Sequence, residues 1–197
     1  MRFAAKLPAA ALLATTLLAT TLLATALAAA PASAQVNINT PHTGGRPFQL
    51  DVHGGFTWWG FGAVAGARFG IPLVDNGFIS SINNAFYLNF GADFYFVRCN
   101  CGGGRDEYHP GFGLPVAAHW EFYFSSMWSI FAEVGVNVYF HPGWLRDNNR
   151  GFFDHDGVGA WFLGAVGARL AFNEWFGLVL RVGTPYSSFG MTFSFGG

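Results

Sequence analysis

The sequence predicts an all-β fold, an eight-stranded antiparallel up-and-down transmembrane β-barrel. Three observations predict it. Apolar and polar residues alternate with a period of two through most of the chain after residue 35, as in strands with two different faces. Only 11% of the residues are charged, whereas ordinary soluble domains carry about 25%. Nearly every ionisable residue of the predicted strands lies on one face, and Phe, Leu and Val dominate the other.

Residues 1–34 have the features of a secretory signal peptide. Arg2 and Lys6 form a basic start, and Leu7 to Ala30 is an uncharged run of Ala, Leu and Thr. Ala32-Ser33-Ala34 then places small residues in front of a cleavage point. A retained transmembrane helix is the alternative, because about 20 apolar residues can span a bilayer. We expect cleavage.

Cleavage would leave a short N-terminal segment over residues 35–46 and a single barrel domain over residues 47–197. Neither contains lysine, because Lys6 is the only lysine in the chain, so a soluble surface would be unusual in composition. The formal net charge is -1, and no basic stripe is present. We therefore do not expect the protein to bind nucleic acid.

The predicted strands follow one another along the barrel domain. Their ranges are 47–58, 61–72, 85–98, 113–125, 128–141, 159–172, 176–184 and 188–196. The division between the first two, at Trp59-Gly60, is weakly marked. Pro115 would interrupt a ladder hydrogen bond, so the fourth strand is expected to begin after it or to contain a bulge. Tight turns alternate with long polar loops at 99–112 and 142–158, and 73–84 is long where the alternation predicts a short turn.

The charged face is predicted to line a narrow lumen, which small and paired charged residues fit. Seven of its members are predicted to form a lumen charge network: Asp51, Arg68, Asp93, Glu121, Glu133, Arg169 and Arg181. Charges in such a space must be paired, since removing one partner costs about 3–5 kcal/mol. Two interpretations stay open: the pairs fill and stiffen the barrel, or they exchange partners to open a narrow pore.

The apolar face is predicted to meet lipid. In a soluble periplasmic barrel that binds an apolar ligand, the same face would point inward, and the exterior would be mostly Gly and Ala with few charges. Trp and Tyr residues also gather near the strand ends, as in the aromatic girdles of membrane barrels. The predicted interface aromatics are Trp58, Trp59, Trp128, Trp144, Trp161, Trp175 and Tyr186.

The chain resembles the small outer-membrane β-barrels of the OmpA/OmpX type. The resemblance lies in the Ala32-Ser33-Ala34 signal-peptide end, the eight amphipathic strands, the alternation of turns and loops, and the last strand, Phe189-Gly190-Met191-Thr192-Phe193-Ser194-Phe195. It implies a bacterial outer-membrane location with a periplasmic N-terminus. It also implies the lipid bilayer and the barrel-insertion machinery as partners, and an extracellular ligand as a possible partner of loops 99–112 and 142–158.

No catalytic site or cofactor is predicted. Neither G-x-S-x-G nor H-E-x-x-H occurs in the chain, so we do not expect an enzyme. Cys99-x-Cys101 allows a disulfide or a metal site. Zinc sites usually offer two separated ligand pairs, so we predict a local or intermolecular disulfide and no metal. A structural or surface-interaction role is the expected function, and the narrow pore and the soluble barrel are the alternatives.

Overall fold

The computed structural model describes residues 38–57, 62–99, 107–140, 153–155 and 158–196. Its strands are β1 (Phe48–Thr57), β2 (Ala63–Val74), β3 (Asn84–Cys99), β4 (Glu107–Tyr123), β5 (Trp128–Phe140), β6 (Phe153–His155), β7 (Val158–Ala171), β8 (Phe176–Thr184) and β9 (Tyr186–Phe195). None of the described residues belongs to a helix long and apolar enough to cross a membrane. The predicted signal peptide, residues 1–34, lies outside the described part of the chain.

Eight of these strands close into one barrel. Strands β1 to β5 pair antiparallel in chain order, β5 pairs with β7, β7 with β8, β8 with β9, and β9 pairs back with β1. Strand β6 adds a short antiparallel partner to β7. The predicted eight-stranded antiparallel up-and-down barrel is confirmed. Closure pairs both edges of each barrel strand, which protects a Phe-rich sheet from edge-to-edge aggregation.

The two faces of each strand differ in exposure, because one faces the interior of the barrel and the other faces outward. Val134 and Val166 point outward and are 56% and 62% exposed, whereas Asp93 and Glu121 point inward and are fully buried. The barrel therefore has a polar interior and an apolar exterior. A soluble barrel that holds an apolar ligand needs the opposite orientation, and the described strands do not provide it.

The hairpin of β3 and β4 is longer than predicted. Strand β3 reaches Cys99 and β4 begins at Glu107, so half of the predicted 99–112 loop continues the sheet. The prediction for Pro115 was wrong, because β4 passes through it and pairs it with Asn137 of β5 without a bulge. The β3–β4 ladder only omits pairs at Leu114 and Pro115 and then resumes in the same register. A proline lacks the N–H that one such pair requires.

The connections divide between the two ends of the barrel. The turns at 124–127 and 172–175 lie at the same end as the start of β1, which we call the turn end. The connections from β3 to β4 and from β5 to β7 lie at the loop end. Residues 75–83, which we call the β2–β3 segment, connect two strands at the turn end. This segment is longer than a short turn, and it folds against the outer wall of the barrel.

Candidate functional site

Six buried side chains form a closed ring of contacts inside the barrel. Each lies on the inward face of its strand, and the ring is displaced toward the turn end, where β4 and β7 finish. In every contact a nitrogen of an arginine or histidine meets a carboxylate oxygen. The charge ring runs through Glu121, Arg169, Asp51, Arg181, Glu133 and His119, and returns to Glu121.

Two arginines connect three carboxylates on one side of the charge ring. Arg169 Nη1 lies 2.5 Å from Glu121 Oε2, and its Nη2 lies 3.2 Å from Asp51 Oδ2. Arg181 contacts Asp51 through Nη2 and donates from Nε to Glu133 Oε1 at 3.1 Å. Each guanidinium therefore bridges two acids. Such forked, charge-assisted hydrogen bonds are the strong ones in a low-dielectric interior.

A histidine completes the ring on the other side. His119 Nδ1 lies 2.9 Å from Glu133 Oε1, and His119 Nε2 lies 3.3 Å from Glu121 Oε2. Asn89 donates from Nδ2 to Glu133 Oε1 at 3.0 Å and so supports the same carboxylate. His119 thus holds the two glutamates on adjacent strands β4 and β5 at a fixed separation.

A phenylalanine ring lies among the cationic members of the charge ring. The Phe131 centroid is 4.5 Å from the His119 ring centroid, and the guanidinium carbons of Arg169 and Arg181 lie 5.7 Å and 5.3 Å from it. Gly167 of β7 makes room for this ring, because a Cβ at that position would overlap it. Phe131 therefore places an apolar ring between the bridging groups, and ion pairs are stronger in such low-dielectric surroundings.

A second cluster lies next to the charge ring on its loop-end side. Arg68 contacts Glu133 at 2.7 Å and donates to Tyr186 Oη at 2.7 Å. Tyr186 in its turn donates to Asp93 Oδ2 at 2.5 Å, and His53 Nε2 lies 3.2 Å from Asp93 Oδ1. Arg68 therefore links the charge ring to this cluster, and the lumen is crossed at two levels.

Several of the contacts join strands that are not neighbours in the sheet. Gln49 of β1 donates to Glu121 of β4 at 3.0 Å, and the Arg68–Glu133 pair connects β2 with β5. The bond from Tyr186 to Asp93 connects β9 with β3. Because these bonds cross the interior, they brace the barrel from within and occupy the path along its axis.

A cavity of about 220 Å³, lined by both polar and apolar groups, opens at the turn end and stops at the charge ring. Glu121, Arg169 and Gln49 lie on its inner side, and Arg46 and Tyr123 form part of its wall. The guanidinium of Arg46 lies 4.0 Å above the centroid of the Tyr123 ring. The cavity reaches the charge ring, and the ion pair of Glu121 and Arg169 closes it there.

The structure brings together all seven residues of the predicted lumen charge network. Six of them, all but Asp93, are connected by direct ion pairs, and Asp93 joins through Tyr186. Sequence reasoning left His119 and Phe131 out of the network. Both were visible in the alternation, because His119 shares a face with Glu121 and Phe131 shares a face with Glu133.

Two predicted interface aromatics belong to the interior face instead. Tyr186 is only 3% exposed and bonds Arg68 and Asp93 inside the barrel. Trp161 alternates in phase with Leu163 and Arg169, both of which are buried, and it packs edge-on against Tyr139. Their positions near strand ends suggested the interface, but the two-residue period decides the face.

Of the other predicted residues, two lie on the exposed outer wall, and the side chains of the rest are outside the described part of the chain. Trp128 and Trp175 are 39% and 59% exposed at the turn end, where an interface girdle would lie. The predictions that fall outside the described side chains concern Trp58, Trp59, Trp144, Cys99 and Cys101.

No group of three or more His, Cys, Asp or Glu side chains within the described ranges is arranged to hold a metal ion. Comparison with protein-family models finds no match to this chain, and a search of curated proteins finds none either.

Proposed function

We propose that this chain is a bacterial outer-membrane β-barrel protein with a mainly structural or surface-interaction role, its lumen closed by paired charges. The carrying observation is the orientation of the barrel, with charged side chains buried inside and large apolar side chains exposed outside. On this proposal the lipid bilayer is the solvent of the outer wall.

The exposed apolar surface supports a lipid environment. Phe94, Val134, Val166 and Phe189 are each more than half exposed, and they lie on four different strands around the barrel. Monomeric soluble proteins rarely expose contiguous apolar patches larger than a few hundred Å². A closed barrel is also one of two architectures that satisfy every backbone group inside a bilayer.

The lumen contacts favour a structural role over a pore. The charge ring and the cluster around Arg68 cross the interior at two levels, and removing any partner would leave a buried charge uncompensated. The connections at the loop end, within 99–112 and 142–158, are then the parts that face outside the cell. They are the proposed contact sites for an extracellular ligand.

Fractionation and gel mobility test the membrane proposal. We expect the protein in the outer-membrane fraction, extracted only by detergent, and running faster on a gel before boiling than after it. A closed barrel that resists detergent until heated gives this shift. Extraction by carbonate or salt alone, with no detergent, would show that the outer wall does not face lipid.

Conductance in a planar bilayer separates the structural role from the gated pore. We expect near-zero single-channel conductance for the native chain and for Glu133→Gln, because a Gln of the same size still fills the ring. Folding of both proteins is checked by their heat-dependent mobility. Regular opening events in Glu133→Gln, absent from the native chain, would support the pore.

A further inference from the structure

The β2–β3 segment covers a polar residue on the outer wall of the barrel. Asn84 alternates in phase with Phe86 and Leu88, which point outward, yet it is completely buried. It is buried because the segment folds over it. Gly77 allows this close approach, since a Cβ there would overlap Asn84 Oδ1.

Asn84 satisfies polar groups of the segment and of the wall. Its Nδ2 donates to the carbonyl oxygens of Ile79 at 2.8 Å and Ile82 at 2.9 Å. Its Oδ1 accepts from Trp120 Nε1 at 2.9 Å, and its backbone oxygen accepts from Gly77 N at 3.0 Å. These hydrogen bonds are internal to the protein, as an environment without water requires.

The N-terminal segment holds the other side of the β2–β3 segment. The backbone N–H of Arg46 donates to Asp75 Oδ1 at 2.8 Å, and Arg46 Nε donates to the Asp75 carbonyl at 3.0 Å. Asn83 N donates to the Ile38 carbonyl at 2.7 Å. The segment is therefore fixed from both sides, and its shape is built into the fold.

The side chains that the segment directs outward are apolar. Phe78 is 65% exposed, and Ile79 is 39% exposed. The Phe78 ring lies 4.9 Å from Phe86 and 5.7 Å from Trp120, both edge-on, so it extends the apolar wall of β3 and β4. Leu73, the bulged residue at the end of β2, is 55% exposed close to them in sequence.

We propose that the β2–β3 segment is a membrane-interface anchor that inserts Phe78 and Ile79 among the acyl chains of the leaflet at the turn end. This inference rests on the proposed outer-membrane function. Lipid is the occupant because Phe78 continues the apolar wall directly, while the polar groups beneath it are bonded internally. Ser80 and Ser81, which are exposed, place hydroxyl groups beside it, as suits the headgroup boundary.

Spin labels at three positions test the anchor. Phe78→Cys reports the anchor, Ser80→Cys is the matched control in the same segment, and Val166→Cys reports the outer wall. Each is made in a full-length chain with Cys99→Ser and Cys101→Ser and folded into vesicles of phosphatidylcholine and phosphatidylglycerol. Heat-dependent mobility verifies that every labelled variant folds. Collision rates with oxygen, which partitions into lipid, and with a water-soluble nickel chelate are then compared.

We expect labels at positions 78 and 166 to favour oxygen several-fold over the label at position 80. A label at 78 that matches position 80, with 166 still in lipid, would overturn the anchor and leave the proposed function intact. A label at 78 shielded from both reagents would place a protein partner or second copy there, which also overturns it. Exposure of position 166 to the nickel chelate would refute the proposed function itself.

Discussion

Glu133 shows how many polar partners a single buried carboxylate has inside the barrel. Its carboxylate is contacted by Arg68, Arg181, His119 and Asn89, and all five side chains are buried. Because all five are buried away from water, each charged member depends on the others for compensation. Removing one member of such a set leaves a buried charge without compensation, which costs far more than breaking a surface ion pair.

Substitution of Glu133 by Gln therefore measures how much these ion pairs contribute to the free energy of unfolding. We expect the free energy of unfolding to fall by about 3–5 kcal/mol, because Arg68 and Arg181 both lose an anionic partner. Urea unfolding in lipid vesicles, followed by Trp fluorescence, gives the value. Glu174→Gln is the control, since Glu174 is exposed in the turn between β7 and β8. It should change stability by no more than about 0.5 kcal/mol, and an equal loss in both variants would contradict the pairing.

Single residues also show how well the two-residue alternation predicts which side chains face the interior. It placed Asp51, Glu121 and Arg169 on one face, and all three are buried in the interior. Tyr186 shares that phase with Thr192, although its place near a strand end predicts the membrane interface. Its hydroxyl lies between Arg68 of β2 and Asp93 of β3, both far from β9 in sequence, and these contacts form only once the barrel closes.

The β2–β3 segment is the element that departs most from its sequence pattern. The sequence shows that this connection is longer than the short turns expected at its end of the barrel. It does not show that the segment packs on the outer wall over Asn84. The packing depends on the start of β3, which follows the segment directly, and on two parts of the chain that are distant in sequence, the N-terminal segment and Trp120 of β4. Local propensity carries no information on such contacts.

Gly77→Ala tests that packing. The added methyl group would overlap Asn84 Oδ1, so the segment must shift and the bond from Trp120 to Asn84 must lengthen. We expect a loss of about 1–3 kcal/mol, as for other overpacked sites, and a displaced Trp120 indole N–H resonance in micelles. Gly45→Ala is the control, because its added methyl group would have no neighbour within 4 Å. An unmoved Trp120 resonance in Gly77→Ala would refute the contact.

At the scale of the whole fold, the described strands form a barrel whose interior is charged and whose exterior is apolar, the reverse of a soluble protein. Ion pairs and hydrogen bonds hold the inside, and the outer wall carries Phe, Val and Leu side chains. The free energy of this arrangement depends on the solvent. In water the wall would be costly, whereas in a bilayer a charge on the wall would be costly.

Val166→Arg distinguishes the two solvents. Val166 lies in the middle of β7 and is 62% exposed. In a bilayer we expect the arginine to lower the free energy of unfolding by about 2–4 kcal/mol, the cost of a cation near the bilayer midplane. Unfolding in vesicles measures it, with Glu174→Arg at the turn end as the control. A Val166→Arg variant as stable as this control would mean that water reaches the wall.

The sequence by itself determined the number of barrel strands, their antiparallel order and which residues face inward, because a period of two separates the faces without reference to neighbours. It also determined that the charges lie inside. The tertiary structure alone decided which charges pair, that His119 completes the charge ring with Phe131 packed among its cations, and that the β2–β3 segment covers Asn84. Those choices depend on the shear and diameter of the closed barrel, which set the distances between strands far apart in sequence.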